Sequence, residues 1–178
     1  IKSSAASDVY KRQPEDVGKC LLTIASHFIM LEDYENALPL YEEAYQLALE
    51  HKSIELQQAS GIMLIKYLCG AGYYSESLEY YNKINPEIAF NPSIQNEVVK
   101  SYMELNKPDS ARIYLTARLL SERGDKIVLN CMMAETYITE ELEDSAFVFL
   151  DRAMKSYKEK AKNYQKKGKE AILSLIHI

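Results

Sequence analysis

The stretch Tyr34–Glu50, YENALPLYEEAYQLALE, decides how this chain folds. Ala37, Tyr41 and Ala44 stand at i, i+4 and i+7, so a small–aromatic–small stripe runs along one face of a helix, the spacing of a face packed on other helices. Tyr34 opens that face. The small residue of the stripe recurs as Ser77, Ala111 and Ala146, after intervals of 40, 34 and 35 residues. A nearly constant period of this length marks a helical unit that buries its apolar face only by stacking on its neighbours.

Aligning the copies gives four units. The first reads Leu21, Ile24, Ala25 and Phe28, then Tyr34, Ala37, Tyr41 and Ala44. The second reads Leu64, Leu68, Gly72, Tyr74, Ser77 and Tyr81, with Gly61 where a large residue is expected and Ile65 where a small one is. The third has Val98, Val99, Tyr102, Ala111 and Leu115, with Arg118 at a small position; the fourth has Met133, Ala134, Tyr137, Ala146, Leu150 and Ala153. From Asp16 to about Lys158 this pattern resembles the tetratricopeptide repeat family. The resemblance implies an all-α fold: an α-α superhelix, a right-handed solenoid, of about four helix hairpins, here followed by a long C-terminal helix. The expected repeat domain is 14–154, with units at about 14–51, 54–85, 92–123 and 126–158.

The predicted helices are 15–30, 34–51, 54–69, 74–84, 92–105, 108–123, 126–139 and 142–171. Asn91-Pro92 places an N-cap residue before a proline at the first helical position. Asn85-Pro86 ends the helix before it, because the residue ahead of a proline is pushed out of the helical region. Pro108 sits at another helix start. Gly72 and Gly124 fall in turns where a positive φ is expected. Pro39 removes one hydrogen bond of its helix and predicts a mild kink. In the last helix Leu150, Met154, Tyr157, Ala161, Tyr164, Gly168 and Ala171 follow alternating steps of four and three, the seam spacing of a coiled coil.

Both ends are set apart from this reading. Asp8–Gln13 (DVYKRQ) and Leu173–Ile178 (LSLIHI) can be written as reverse complements at the DNA level, and resemble a translated transposon end of the kind used to tag sequencing libraries. Residues 1–13 and 173–178 are therefore expected to be non-native adaptor-like segments, which makes Pro14–Ile172 an internal piece of a longer protein. That piece has 18 basic and 25 acidic residues, a net charge of −7. The extension 155–172 holds 7 Lys and 2 Glu, a net +5, so the body before it stands at −12. An acidic body argues against nucleic acid as the partner of the repeats. No apolar run in 14–172 reaches the roughly 18 residues that read as a membrane helix. Cys20, Cys69 and Cys131 are dispersed, without a CxxC pair, and read as small core residues of a reducing, cytoplasmic compartment.

No catalytic or metal-binding constellation is legible. His27 and His51 have no Cys or His at metal spacing; Glu42-Glu43 and Glu140-Glu141 are adjacent, so they point about 100° apart on a helix. No glycine-rich phosphate loop occurs, and neither an enzyme activity nor a cofactor is expected. Tyr73 and Tyr80 lie off the packing register and read as exposed contact candidates. The resemblance implies that the first helix of each pair lines a concave groove for an extended peptide or partner helix. The groove positions are then Ser26, Ile29, Ile62, Lys66, Asn96, Lys100, Met103 and Glu135, joined by Leu22, Cys131 and Ile138. The clamp by which some family members clasp a C-terminal carboxylate is absent as such, since Leu22 and Ser26 occupy its leading positions. Lys66, Asn96 and Lys100 are expected to hold one acidic group of the partner, between apolar contacts from Ile62 and Met103. The expected function is a protein–protein interaction scaffold. The alternative is the sensor or regulatory part of a larger signalling protein, a histidine kinase or transcription regulator, with the last helix as connector.

Overall fold

The computed structural model describes residues 2–84, 91–121 and 124–176, with side chains for 14–84, 91–121 and 124–170. The chain is all-helical, with eight α-helices and no strand among the described residues. They are α1 (Lys2–Met30), α2 (Tyr34–Glu50), α3 (Ile54–Gly70), α4 (Tyr74–Lys83), α5 (Gln95–Glu104), α6 (Pro108–Leu120), α7 (Lys126–Ile138) and α8 (Glu143–Ile176). A single 3₁₀ turn, Pro92–Ile94, leads into α5. The main departure from the expected spans is α1, whose backbone continues back through Pro14 to Lys2. The stop expected at Asn85-Pro86, and residues 122–123 of the sixth predicted helix, lie outside the described residues.

Helix starts follow local chemistry. Asp33 Oδ1 accepts from the Asn36 N–H at 3.2 Å, Ser53 Oγ from Leu56 at 3.4 Å, Asn91 Oδ1 from Ser93 at 2.9 Å and Asp125 Oδ1 from Ile127 at 2.9 Å. Each satisfies a donor that the first helical turn leaves without a partner. Pro39 sits inside α2, which runs unbroken from Tyr34 to Glu50.

Four helix ends share one solution. Glu32, Lys52, Gly72 and Glu141 all have positive φ, at 59°, 53°, 88° and 60°. The N–H of the following residue then reaches back to a carbonyl five positions earlier. These bonds are Asp33 to Phe28 at 2.9 Å, Ser53 to Ala48 at 3.0 Å, Tyr73 to Leu68 at 2.8 Å and Leu142 to Tyr137 at 3.0 Å. This is the Schellman arrangement, which usually recruits glycine; three of these four turns manage without it. Gly124 is different: its backbone is not in the left-handed region, and a Cβ there would come within 2.5 Å of Leu129 Cδ1.

The chain divides into two compact units, Ile1–Asn106 and Lys107–Ile178. The division falls between the two helices of the third expected repeat.

In the first unit α2 packs on α1 and α3, α4 on α3 and α5, and α3 also touches both α1 and α5. The small–aromatic–small stripe is its centre, with Ala37, Tyr41 and Ala44 fully buried. Tyr41 stacks on Tyr67 of α3 at 5.0 Å between ring centroids. Ser77 and Ile65 are both buried, and the Ser77 hydroxyl donates to the Ile65 carbonyl at 3.0 Å. The large residue of α3 thus faces the small one of α4. A Cβ on Gly61 would meet Ile84 Cγ2 at 3.0 Å and Tyr45 Cε2 at 3.4 Å, so Tyr45 and Ile84 fill the place where a large residue was expected. Ile24, expected in the packing, is exposed.

In the second unit α7 packs on α6 and α8. Leu115, Leu129, Met133 and Ala134 form its core, closed by Ala146 and Ala153 of α8. Tyr137 stacks on Phe149 at 5.5 Å, and the Arg112 guanidinium lies 4.7 Å from the Tyr137 ring centroid on the way to Asp109 and Glu140. Arg118, at a position where a small residue was expected, is fully buried. Leu150 is exposed rather than packed.

Candidate functional site

Three of the expected groove residues meet. Lys66 of α3 and Asn96 and Lys100 of α5 line one cavity of about 250 Å³, together with Cys69, Gly70 and Glu97. The placement follows from helix geometry, since Lys66 and Cys69 are three residues apart on α3, and Asn96 and Lys100 four apart on α5. Packing of α3 on α5 turns the two edges toward each other.

The electrostatics of this cavity are mixed. Lys100 Nζ lies 5.9 Å from the centroid of the Tyr74 ring, a cation–π contact that holds it at the rim. Glu97 brings a carboxylate, and its Oε2 is buried without a hydrogen-bond partner. Buried acceptors normally have donors, and this oxygen is an exception closed off from solvent. The Cys69 thiol donates to the Glu97 backbone carbonyl at 3.5 Å. Burial pushes the Cys69 thiol above its ordinary value, which keeps it protonated and a poor nucleophile.

The other expected residues do not enter this cavity. Ile29, Ile62 and Met103 are half-buried elsewhere on the first unit. The Ser26 hydroxyl is engaged inside the fold, 2.8 Å from the Leu22 carbonyl and 3.0 Å from the Tyr41 hydroxyl. Leu22 is half-buried. Glu135 and Ile138 are exposed on α7 of the second unit, and Cys131 is half-buried there. Cys20, expected in the core, is exposed.

Tyr73 is exposed as expected, but Tyr80 is not a free contact residue. Its ring packs edge-on against Tyr45 at 5.8 Å, and its hydroxyl donates to Glu42 Oε1 at 3.0 Å. Burial, and then the Glu42 carboxylate, push the Tyr80 hydroxyl up to about 12.

Sequence reasoning missed Cys69 and Glu97 as lining residues. The signal for Cys69 was its place one helical turn beyond Lys66; Glu97 had none, because a glutamate next to Asn96 and three residues before Lys100 reads as part of a solvated face.

Two further hollows exist. One in the first unit, about 790 Å³, is walled by Glu32, Asp33, Glu35 and Glu42 with Tyr34 and Tyr73, and no basic side chain lines it. One in the second unit, about 550 Å³, lies along α6 between Arg112, Ile113, Leu120 and Tyr137. Among the described residues no group of three or more His, Cys, Asp or Glu can hold a metal ion. Among the same residues no helix is long and apolar enough to cross a membrane. No protein-family model matches the chain, and comparison with curated proteins finds no match.

Proposed function

We propose that this chain is a protein–protein interaction scaffold of the tetratricopeptide-repeat type, without catalysis of its own. In this reading it takes an extended peptide along the face carrying α1, α3 and α5. The observation that supports it is the convergence of Lys66, Asn96 and Lys100 on one cavity. Two ammonium groups and a side-chain amide suit a carboxylate on the partner.

Fluorescence anisotropy with labelled acidic peptides and their amide-substituted counterparts tests this. Lys66→Glu and Lys100→Glu are each expected to weaken binding of the acidic peptides about tenfold, the scale of a partly buried ion pair turned repulsive. Equal binding of the neutral peptides, or no effect of either substitution, refutes it. The continuation of α8 as one helix past Lys158, the end of the fourth expected repeat, favours a second reading, a regulatory part of a signalling protein with α8 as its connector. The gene beyond codon 172 tests that reading: an output domain supports it and further repeats refute it.

A further inference from the structure

We infer that the outer face of α8 is a docking surface for an acidic amphipathic helix of another protein. The buried face of α8 is Ala146 and Ala153, with Phe149 stacked on Tyr137. A second apolar stripe runs beside it: Phe147, Leu150, Met154, Tyr157, Ala161 and Tyr164. At about 100° per residue these six fall within an arc of about 100°, in the alternating three–four steps of a helix seam. The stripe is uncovered. Phe147, Met154, Tyr157 and Tyr164 are 65%, 51%, 59% and 66% exposed.

The helix is also unsupported over its second half. From Lys155 to Glu170 every residue except Ser156 and Ala161 is exposed, although the backbone stays helical throughout. A helix of this length with nothing against its apolar face is marginal in water, because most helix stability comes from packing that face.

Charge decides what covers it. Lys158, Lys162 and Lys169 run along one edge of the stripe, and Lys160 and Lys167 along the other. Glu159 and Glu170, the acidic residues of this half, project from the opposite side of the helix. Lys160 is held by Asp125 at 2.9 Å, which leaves the remaining lysines of the two edges to face an incoming helix. A second copy of α8 would set lysine against lysine, which is destabilising across such a seam. A helix with apolar seam residues and Glu or Asp on its flanks satisfies both stripe and edges. The surface belongs to the second unit and uses none of the residues of the Lys66–Lys100 cavity.

The probe is a synthetic peptide of about four heptads with Ile and Leu at the seam and Glu at the flanking positions, paired with a Lys-flanked version of the same peptide. Anisotropy on the full chain is expected to show binding of the Glu-flanked peptide that weakens with salt. Met154→Glu with Tyr157→Glu removes the stripe, and Lys158→Glu with Lys162→Glu reverses an edge. Each pair is expected to cost at least tenfold in affinity at unchanged far-UV circular dichroism, and the second pair is expected to gain the Lys-flanked peptide. Because all four positions are exposed, these variants leave the packed core intact. Four results overturn the inference. They are no binding, equal binding of both peptides, binding to phosphatidylserine vesicles in place of the peptide, and sedimentation as a dimer that Met154→Glu with Tyr157→Glu abolishes.

Discussion

Replacing Lys52 by glycine should stabilise the first unit, and replacing Gly72 by alanine should destabilise it by a similar amount. The two residues hold the same place in consecutive turns, with φ of 53° and 88° and the same five-back hydrogen bond, at 3.0 Å from Ser53 and 2.8 Å from Tyr73. The left-handed conformation costs an L-residue about 1–2 kcal/mol that glycine does not lose. Glycine in turn loses about 0.5–1 kcal/mol more backbone entropy on folding. The difference leaves Lys52→Gly a net gain of about 0.5–1 kcal/mol. Gly72→Ala reverses the sign at the same size, and nothing else enters, because a Cβ at Gly72 meets no atom within 4 Å. Glu32→Gly, at φ 59° in the same unit, should add to Lys52→Gly, since the two turns share no hydrogen bond in the structure. Urea denaturation followed by circular dichroism reads these three variants, and the double variant Glu32→Gly with Lys52→Gly, as midpoint shifts at constant slope. A midpoint that falls for Lys52→Gly, or one that does not fall for Gly72→Ala, would refute the claim that these turns are one structure with interchangeable occupants.

Other expectations follow from the core and from titration. Gly61→Leu should cost about 1–3 kcal/mol by overpacking against Tyr45 and Ile84; adding Tyr45→Ala should recover part of that loss in a double-mutant cycle, and independent effects would show that the two sites do not touch. Leu64→Ala, at a fully buried position, should cost about 2–5 kcal/mol in chemical denaturation. Tyr80, raised to about 12 in the folded chain against about 10 unfolded, holds its proton longer when folded. Its contribution is therefore complete below about pH 10 and is lost as the pH rises towards 12. Urea midpoints across that range should fall less steeply for Tyr80→Phe than for the parent chain; an unchanged slope would count against the burial of the Tyr80 hydroxyl beside Glu42.

The cavity shows where reading side chains in order stops. The repeat pattern pairs Lys66 with Lys100, because corresponding positions of successive first helices face one groove. Glu97, which lines the same cavity, is invisible to that logic. Adjacent to Asn96, it should point away, yet packing of α3 on α5 leaves one of its oxygens buried at the same cavity. Tyr80 fails for a similar reason, since its register predicts exposure and a glutamate 38 residues earlier captures its hydroxyl. Both errors come from contacts distant in sequence, which periodicity does not encode.

In Tyr34–Glu50 the stripe of Ala37, Tyr41 and Ala44, with the recurrence of its small residue, determined the helical character, the places of the helices and much of the core, because period and burial are properties of the chain read along itself. The tertiary structure alone decided three further matters. Tyr45 and Ile84 occupy the space beside Gly61, glutamate and lysine take the left-handed turns that glycine usually takes, and the second apolar stripe of α8 is left uncovered. The first and last depend on which surfaces meet, fixed by neighbours far away in the sequence; the turns are closed by hydrogen bonds five residues back, which the residue types at those positions do not announce.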